Sequence, residues 1–531
     1  MTDQPDANGP DLTQGIALSE LRPGEPFLGH VGDDAVVVVR LADEIRAISA
    51  RCTHYGGPLH RGLVVEDTIH CPLHHAVFSL RDGSALGAPA LSPVSCYPVI
   101  VDGERVRVRA REDVPRRHLR RPAINALVIV GAGAAAAAAV ELMRHEGFEG
   151  TITMIGQEES GPIDRPNLSK DYLAGDAPAS WLPLGGDKRW EELNVNLLKD
   201  TRVTRIERKA RQVVTDKGTA FEYDALLYAT GAEPLVPPIE GLEQTTHFTL
   251  RSFNDSRHIS QAADSGKHAL IVGAGFIGLE VAASLRKRGL NVTVVAPEEL
   301  PLQPVLGEEL GRLVRDTHEA QGVDFMLGTG VESFEPTRAH LSTGQHIDFD
   351  FVVLGTGVRP RTELAEAAGL KVDRGILVDR QMRTSDPAIF AVGDVARFPE
   401  PASDAPARVE HWVLAQRLAQ RAARVMLNLP VEPFSLVPFF WSRHFDLNIR
   451  YVGHCEHFDR VLIHGSLAER DAIVGYIHQD RIEAVVTLGR PRASLRAEQA
   501  FATNDQATLR HLLQMQEPPY SPAPESHPPT P

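Results

Sequence analysis

Leu127-Val128-Ile129-Val130-Gly131-Ala132-Gly133-Ala134-Ala135-Ala136 and Ala269-Leu270-Ile271-Val272-Gly273-Ala274-Gly275-Phe276-Ile277-Gly278-Leu279-Glu280 are the two stretches on which the fold turns. Each is a short apolar run that breaks at glycine and resumes with small or apolar residues, the pattern of a buried strand entering a helix through a tight turn. In each, the first glycine permits the turn and the second lets a pyrophosphate approach the backbone. The small third residue, Ala136 or Gly278, lets helix pack on strand, so phosphates would meet a helix N-terminus. The first stretch by itself barely differs from an Ala-rich core helix after a turn, whereas the second is a complete G-x-G-x-x-G. From Ile124 onward strand-like runs alternate with helical segments, which predicts parallel sheet and two nucleotide-binding units.

Outside these units the texture changes. From Leu18 to about Val108, short β-type runs such as Ala35 to Val39 and Arg105 to Val108 alternate with Gly, Pro and Asp turns, which predicts a small all-β domain. Residues 110 to 123 are dense in Arg and contain Pro115 and Pro122, a composition that favours an extended linker able to let the small domain reach different faces of the rest. From about Phe434, runs such as Ala472 to Tyr476 and Glu483 to Leu488 read as strands before a closing helix. The expected fold is multidomain: an all-β domain at 15–109, a linker at 110–123, and a first Rossmann-like α/β unit at 124–245 and 372–433. A second such unit at 246–371 interrupts the first, a small C-terminal α/β domain follows at 434–513, and polar or Pro-rich tails occupy 1–14 and 514–531.

At 531 residues the chain is too long for one core, and its formal charge of −15 argues against nucleic acid and in favour of a basic docking partner. No run approaches the roughly 18 apolar residues of a membrane span, and Met1 to Asn8 lacks the apolar centre of a signal peptide, so a cytoplasmic protein is expected. Only Cys52, Cys71, Cys96 and Cys455 occur, too few for a disulfide framework.

Two of the four stand in a repeated pattern. Cys52-Thr53-His54 is followed, after sixteen residues, by Cys71-Pro72-Leu73-His74. A Rieske [2Fe–2S] centre needs two thiolates on one iron and two imidazoles on the other, and each of these loops supplies one of each. Zinc is the rival, but C-x-H fits poorly the wider Cys and His spacings of a Cys2His2 site. His60, His70 and His75 fall outside the repeat and read as surface residues or neighbours of the ligands. The region resembles the Rieske ferredoxins of bacterial dioxygenase systems. It departs from the respiratory-chain type, whose extra cysteines are replaced by Gly56 and Leu73 and whose sulfur-donating serine is replaced by Ala76. Fewer hydrogen bonds to sulfur imply a potential near the low end of the Rieske range, roughly −150 mV.

Tyr223-Asp224, Leu226 to Gly231 and Ile389-Phe390-Ala391-Val392-Gly393-Asp394 resemble the second and third fingerprints of two-dinucleotide-binding flavoproteins. There, the residues matching Thr230, Gly231 and Asp394 line the FAD site, the last on the ribityl chain. Asp164-Arg165-Pro166-Asn167-Leu168-Ser169-Lys170 matches the D-R-P-x-L-S-K segment of the ferredoxin-reductase and apoptosis-inducing-factor-like flavoproteins. The resemblance places Arg165 in the cofactor site and Lys170 near flavin N5, paired with Glu280 of the other unit. Arg408-Val409-Glu410-His411-Trp412 is similar to the segment beside the isoalloxazine ring. The resemblance covers about residues 124 to 500. Gln157 or Glu158 stands where an acidic residue for the adenosine ribose is expected.

After the second glycine turn, Asn291 to Val295 leads to Ala296-Pro297-Glu298-Glu299, with no Arg or Lys to receive a 2′-phosphate, so NADH is expected rather than NADPH. No two cysteines lie near each other after residue 96, which excludes dithiol chemistry beside the flavin. The expected activity is transfer of electrons from NADH through FAD to the Rieske cluster and on to an unidentified acceptor protein. The alternatives are a slow, redox-sensing protein like the apoptosis-inducing factors, or an NADH oxidase.

If the carboxylate of Glu298 hydrogen-bonds a ribose diol and repels a phosphate, kcat/KM is higher for NADH than for NADPH, and Glu298→Arg improves NADPH use. Equal kcat/KM for the two nucleotides in the unmodified protein would contradict the assignment.

Overall fold

The computed structural model describes residues 9–111, 123–400 and 405–514. Residues 1–8, all but the ends of the Arg-rich linker and the tail beyond residue 514 lie outside the described residues, whereas residues 9–14, expected as tail, pack on the N-terminal domain with Leu12 fully buried and its amide donating to His30 O at 2.9 Å.

Both glycine turns sit at the ends of central strands. Ala126–Val130 is flanked by Thr151–Ile155 and Ala225–Tyr228 in a five-stranded sheet completed by Val195–Leu198 and Ile389–Ala391, all parallel. The chain leaves this sheet after Tyr228 and re-enters it at Ile389. Between them lies the second parallel sheet, in the order His247–Thr249, Phe351–Leu354, His268–Val272, Asn291–Ala296 and Val323–Leu327. Leu127, Val128 and Ile129 are all buried because both faces of a parallel sheet are covered, which is why these strands read as continuous apolar runs. The Ala134–His145 helix keeps six consecutive alanines buried and packs against the Trp412–Met426 helix, so small residues on one element meet Leu414, Leu418 and Ala422 on the other.

The C-terminal segment is a five-stranded antiparallel sheet, in the order Phe439–His444, Leu447–Gly453, Arg481–Leu488, Asp471–His478 and Arg460–Ser466, followed by helices Pro491–Ala502 and Gln506–Leu512. Its first strand packs against the Phe276–Lys287 helix and the Trp412–Met426 helix, so it closes over both nucleotide-binding units.

The N-terminal domain is all-β. Two four-stranded antiparallel sheets, Pro26–Val31 to Cys96–Tyr97 and Leu63–Val65 to Ala85–Gly87, enclose a core that includes Val37, Ile48, Phe78 and both Cys52 and Cys71. The linker expected from the sequence would let this domain reach different faces of the rest. The structure instead seats it on one face, where Leu91 joins the apolar core around the Ala134–His145 helix and Tyr55, His70, His75 and Ala88 make polar contacts across the boundary.

Leu227 is fully buried at the centre of the first sheet, and removing its isobutyl group leaves a cavity worth about 2–5 kcal/mol. Leu227→Ala is therefore expected to lower the Tm clearly, whereas Leu462→Ala, on an edge strand with its side chain largely in solvent, leaves it nearly unchanged.

Candidate functional site

The two loops that carry Cys52-Thr53-His54 and Cys71-Pro72-Leu73-His74 are closed alike. In the first, the Cys52 amide donates to Gly57 O at 2.9 Å and the Gly56 amide returns to Cys52 O at 2.9 Å. In the second, Cys71 donates to Ala76 O at 2.8 Å and His75 returns to Cys71 O at 3.1 Å. The loops face each other. His54 Nδ1 and His74 Nδ1 are 3.2 Å apart, and the thiols of Cys52 and Cys71 lie within hydrogen-bonding reach of one another. Gly57 is packed so closely that a Cβ there would meet Cys71 Sγ at 2.7 Å. Backbone amides of His54, Leu73 and His74 point at the two sulfurs. Burial holds the His54 imidazole down to about 3 and His74 well below its usual value, so both are neutral, as metal ligands must be.

Among the described residues, no three or more His, Cys, Asp or Glu side chains converge as one metal ion would require. Two thiols in reach of one another and two imidazole nitrogens 3.2 Å apart, with amides aimed at sulfur, are the donor pairs that a [2Fe–2S] cluster of Rieske type takes, thiolates on one iron and imidazoles on the other.

Beside the cluster loops opens a cavity of about 2230 Å³ that runs from Gly131–Ala135, at the first glycine turn, to Gly275–Ile277, at the second. Gly131 has φ +108, and a Cβ there would strike Ala229 O at 2.2 Å, so only glycine makes this turn. Gly133 faces open space, leaving room for a phosphate against the helix N-terminus. Ala136 is buried behind the turn, and Gly278 approaches Gly273 O so closely that a Cβ would sit 2.4 Å away.

Arg165, Lys170, Thr230, Gly231, Asp394 and Trp412 all line this cavity. Arg165 donates to Glu158 at 2.5 Å, Asp394 accepts from Arg251 at 2.6 Å and Thr230 donates to Arg361 O at 3.2 Å. Lys170 Nζ lies 2.6 Å from Glu280, whose carboxylate also accepts from Ser169 at 2.5 Å and Ser442 at 2.6 Å. Lysine, carboxylate and hydroxyls thus tie the D-R-P-x-L-S-K loop, the second nucleotide helix and the C-terminal sheet together at one point. Several buried polar atoms in the cavity wall have no hydrogen-bond partner: Glu158 Oε2, His411 Nδ1 and Trp412 Nε1. Unsatisfied groups of this kind fit a polar cofactor seated along the wall. Burial takes His411 down to about 3.

Glu298 is half-buried on the loop after Asn291–Ala296, outside the cavity wall. Gln157 and Glu158 both line the wall; Glu158 is engaged by Arg165, and Gln157 accepts from Arg361 at 2.5 Å once its amide is oriented to suit. Cys455 stands in the wall with no second thiol beside it, pushed up to about 12 by burial and Glu483.

The wall also holds residues that no sequence motif marks, among them Arg251, Arg361, Trp441 and Ser442. Of these, Trp441 touches both sites. It lines the cavity, and its ring centroid is 4.1 Å from that of His74 and 6.5 Å from that of His54. Tyr55, stacked on His54 at 4.0 Å, hydrogen-bonds Asp164, a carboxyl that burial pushes up to about 7. His75, read from the sequence as a surface residue or a neighbour of the ligands, is fully buried against the C-terminal domain. Its side chain finds partners more than 400 positions away, which no local pattern announces.

Residues 125–419 match the pyridine nucleotide-disulphide oxidoreductase family, residues 14–98 the Rieske [2Fe-2S] domain and residues 439–518 the reductase C-terminal domain. The chain is 30% identical over 493 residues to apoptosis-inducing factor 3 of Homo sapiens, covering 89% of this chain and 80% of that one. It is 36% identical over 375 residues to putidaredoxin reductase of Pseudomonas putida, covering 69% and 89% respectively. Among solved structures, the covalent putidaredoxin reductase–putidaredoxin complex matches with a TM-score of 0.69 at 34% identity, over 73% of this chain and 95% of that chain. No helix among the described residues is long and apolar enough to cross a membrane.

Replacing Cys52 or Cys71 by Ser is expected to abolish the Rieske absorption and EPR signals while leaving bound flavin, with two irons per chain before the change and near none after it. Stoichiometric zinc without acid-labile sulfide in the purified protein would sink the assignment.

Proposed function

Because this chain belongs to the pyridine nucleotide-disulphide oxidoreductase family and carries a Rieske [2Fe-2S] domain, we propose that it passes electrons from the flavin side of its cavity to the cluster through Trp441, within one polypeptide. It is an NAD(P)H-dependent flavoprotein oxidoreductase of the ferredoxin-reductase type, with FAD, a nicotinamide nucleotide and a [2Fe-2S] cluster as cofactors. The observation that carries the proposal is the position of the Trp441 ring, in the cavity wall on one side and against His74 on the other.

Bound FAD supplies the conversion of a two-electron hydride donor into single electrons. The protein does the rest by placement. Gly131, Gly133, Arg165, Thr230, Gly231, Asp394 and Trp412 would hold the flavin nucleotide, and Gly273, Gly275 and Gly278 would shape the second turn for the nicotinamide nucleotide, whose ribose would have to extend past the cavity wall to reach Glu298. Glu280 holds the Lys170 ammonium in the cavity wall, where its positive charge would favour the reduced form of a bound flavin. The ligands of the cluster are Cys52, His54, Cys71 and His74.

The acceptor beyond the cluster is a redox protein such as a ferredoxin or an oxygenase component, in keeping with the ferredoxin reductases among the relatives; one of these, putidaredoxin reductase, has been solved joined to putidaredoxin. The apoptosis-inducing factor 3 relative, which spans 89% of this chain, favours a second reading as a slow redox sensor.

Anaerobic stopped-flow mixing with NADH distinguishes these. The expected record is fast flavin bleaching followed by cluster reduction at a rate independent of protein concentration, with Trp441→Ala slowing the second phase at least tenfold and sparing the first. A second phase that scales with protein concentration, or one unchanged in Trp441→Ala, contradicts the route. In a separate aerobic steady-state assay, turnover slower than minutes with a one-electron dye favours the sensor, and stoichiometric oxygen consumption without dye reduction favours an oxidase.

A further inference from the structure

The residue after ligand His74 breaks a backbone rule. Gly56 and His75 hold the same place in their loops, fourth after the cysteine, and both have positive φ, +66 and +62. Glycine takes that conformation without strain, whereas a histidine there is uncommon and calls for a compensating contact. The contact lies outside the Rieske domain. His75 is fully buried, stacked on Phe439 of the C-terminal sheet with centroids 3.7 Å apart and planes at 13°. Its Nδ1 donates to Glu498 at 2.6 Å, and its Nε2 is 3.1 Å from the Ser494 hydroxyl, both on the Pro491–Ala502 helix.

The second oxygen of Glu498 is taken by Arg417, on the Trp412–Met426 helix. Arg417 then reaches back into the Rieske domain, donating to His75 O at 2.9 Å and to Ala88 O at 3.3 Å. Gln420, one turn further along the same helix, accepts from the Ala88 amide at 3.1 Å. The side chains of Glu498 and Arg417 are 5% and 11% exposed, so the pair is shielded from water and from salt. Taking the Rieske domain away would leave Phe439 and Trp441 uncovered and return a strained, unpartnered His75 to solvent.

We propose that the Rieske domain is a resident of the reductase, clamped by His75, Glu498 and Arg417 independently of the linker, and that it fills in cis the face through which the flavin site gives up electrons. A separate ferredoxin is then served by the cluster and never docks over Trp441. The proposal rests on the reading of this chain as a reductase feeding its own cluster, and adds that the feeding complex is permanent.

The test uses the full chain with a protease site inserted between Arg111 and Ala123, cut after purification. The two pieces are expected to co-elute at equal stoichiometry in size-exclusion chromatography at 0.5 M salt, and cluster reduction by NADH in the cut protein is expected to keep the rate of the intact chain. Separation of the pieces overturns the clamp. His75→Gly, which gives the second loop the residue the first loop has, is expected to keep the Rieske EPR signal yet release the domain after cutting and lower the cluster-reduction rate at least tenfold at micromolar protein. Glu498→Gln with Arg417→Leu is the second variant, with the same expectation. If both variants keep their signals and still co-elute after cutting, the clamp is not these residues and the proposal fails.

In the uncut chain, a tenfold excess of a free Rieske-type ferredoxin is expected to leave the rate of resident-cluster reduction unchanged. A slowing that grows with added ferredoxin would show the face to be open. Failure of NADH to bleach the flavin would instead strike the functional reading, and co-elution would be unaffected by it.

Discussion

The loop from Cys71 to His75 carries two demands in five residues. It must set Cys71 and His74 opposite Cys52 and His54, and it must turn His75 away from the cluster and into the C-terminal domain. Both are met because the loop closes on itself through the Cys71 and His75 amides, which fixes the directions of consecutive side chains to opposite sides. Much of the arrangement follows from this. With His75 anchored on Phe439 and Glu498, His74 is brought against Trp441, and Trp441 stands in the wall of the nucleotide cavity.

The cavity is assembled with similar economy around Glu280. Its carboxylate takes hydrogen bonds from the D-R-P-x-L-S-K loop, through Ser169 and Lys170, and from the C-terminal sheet, through Ser442, while the residue itself belongs to the helix that opens at the second glycine turn. A buried carboxylate requires that its lone pairs be satisfied, so three segments far apart in the chain are obliged to meet there. Behind Ser442 lie His444, 3.0 Å away and held down to about 3 by burial, and then His318, 3.3 Å beyond it. The electrostatics of this part of the cavity are thus set by groups contributed from both nucleotide-binding units and the C-terminal domain. The fusion of the Rieske domain adds Tyr55, which joins Asp164 of the same flavin loop to the stack on His54.

The sequence was informative wherever chemistry is written in short spacings. Two C-x-H and C-x2-H loops, two glycine turns and the D-R-P-x-L-S-K segment are local backbone devices, and their residues need only near neighbours to adopt the right shape. From them came the all-β domain, the paired parallel sheets, the interruption of one sheet by the other and the identities of the cofactors. What the sequence did not disclose was the seating of the domains. The Arg- and Pro-rich stretch points to an extended tether, yet the position of the small domain is decided by His75, Glu498, Arg417 and Trp441, which are separated by tens to hundreds of residues and share no spacing. The same holds for Arg251 and Arg361 in the cavity wall. Pairings of that kind are fixed by which buried charge must find which partner once the sheets have packed, and only the tertiary structure settles it.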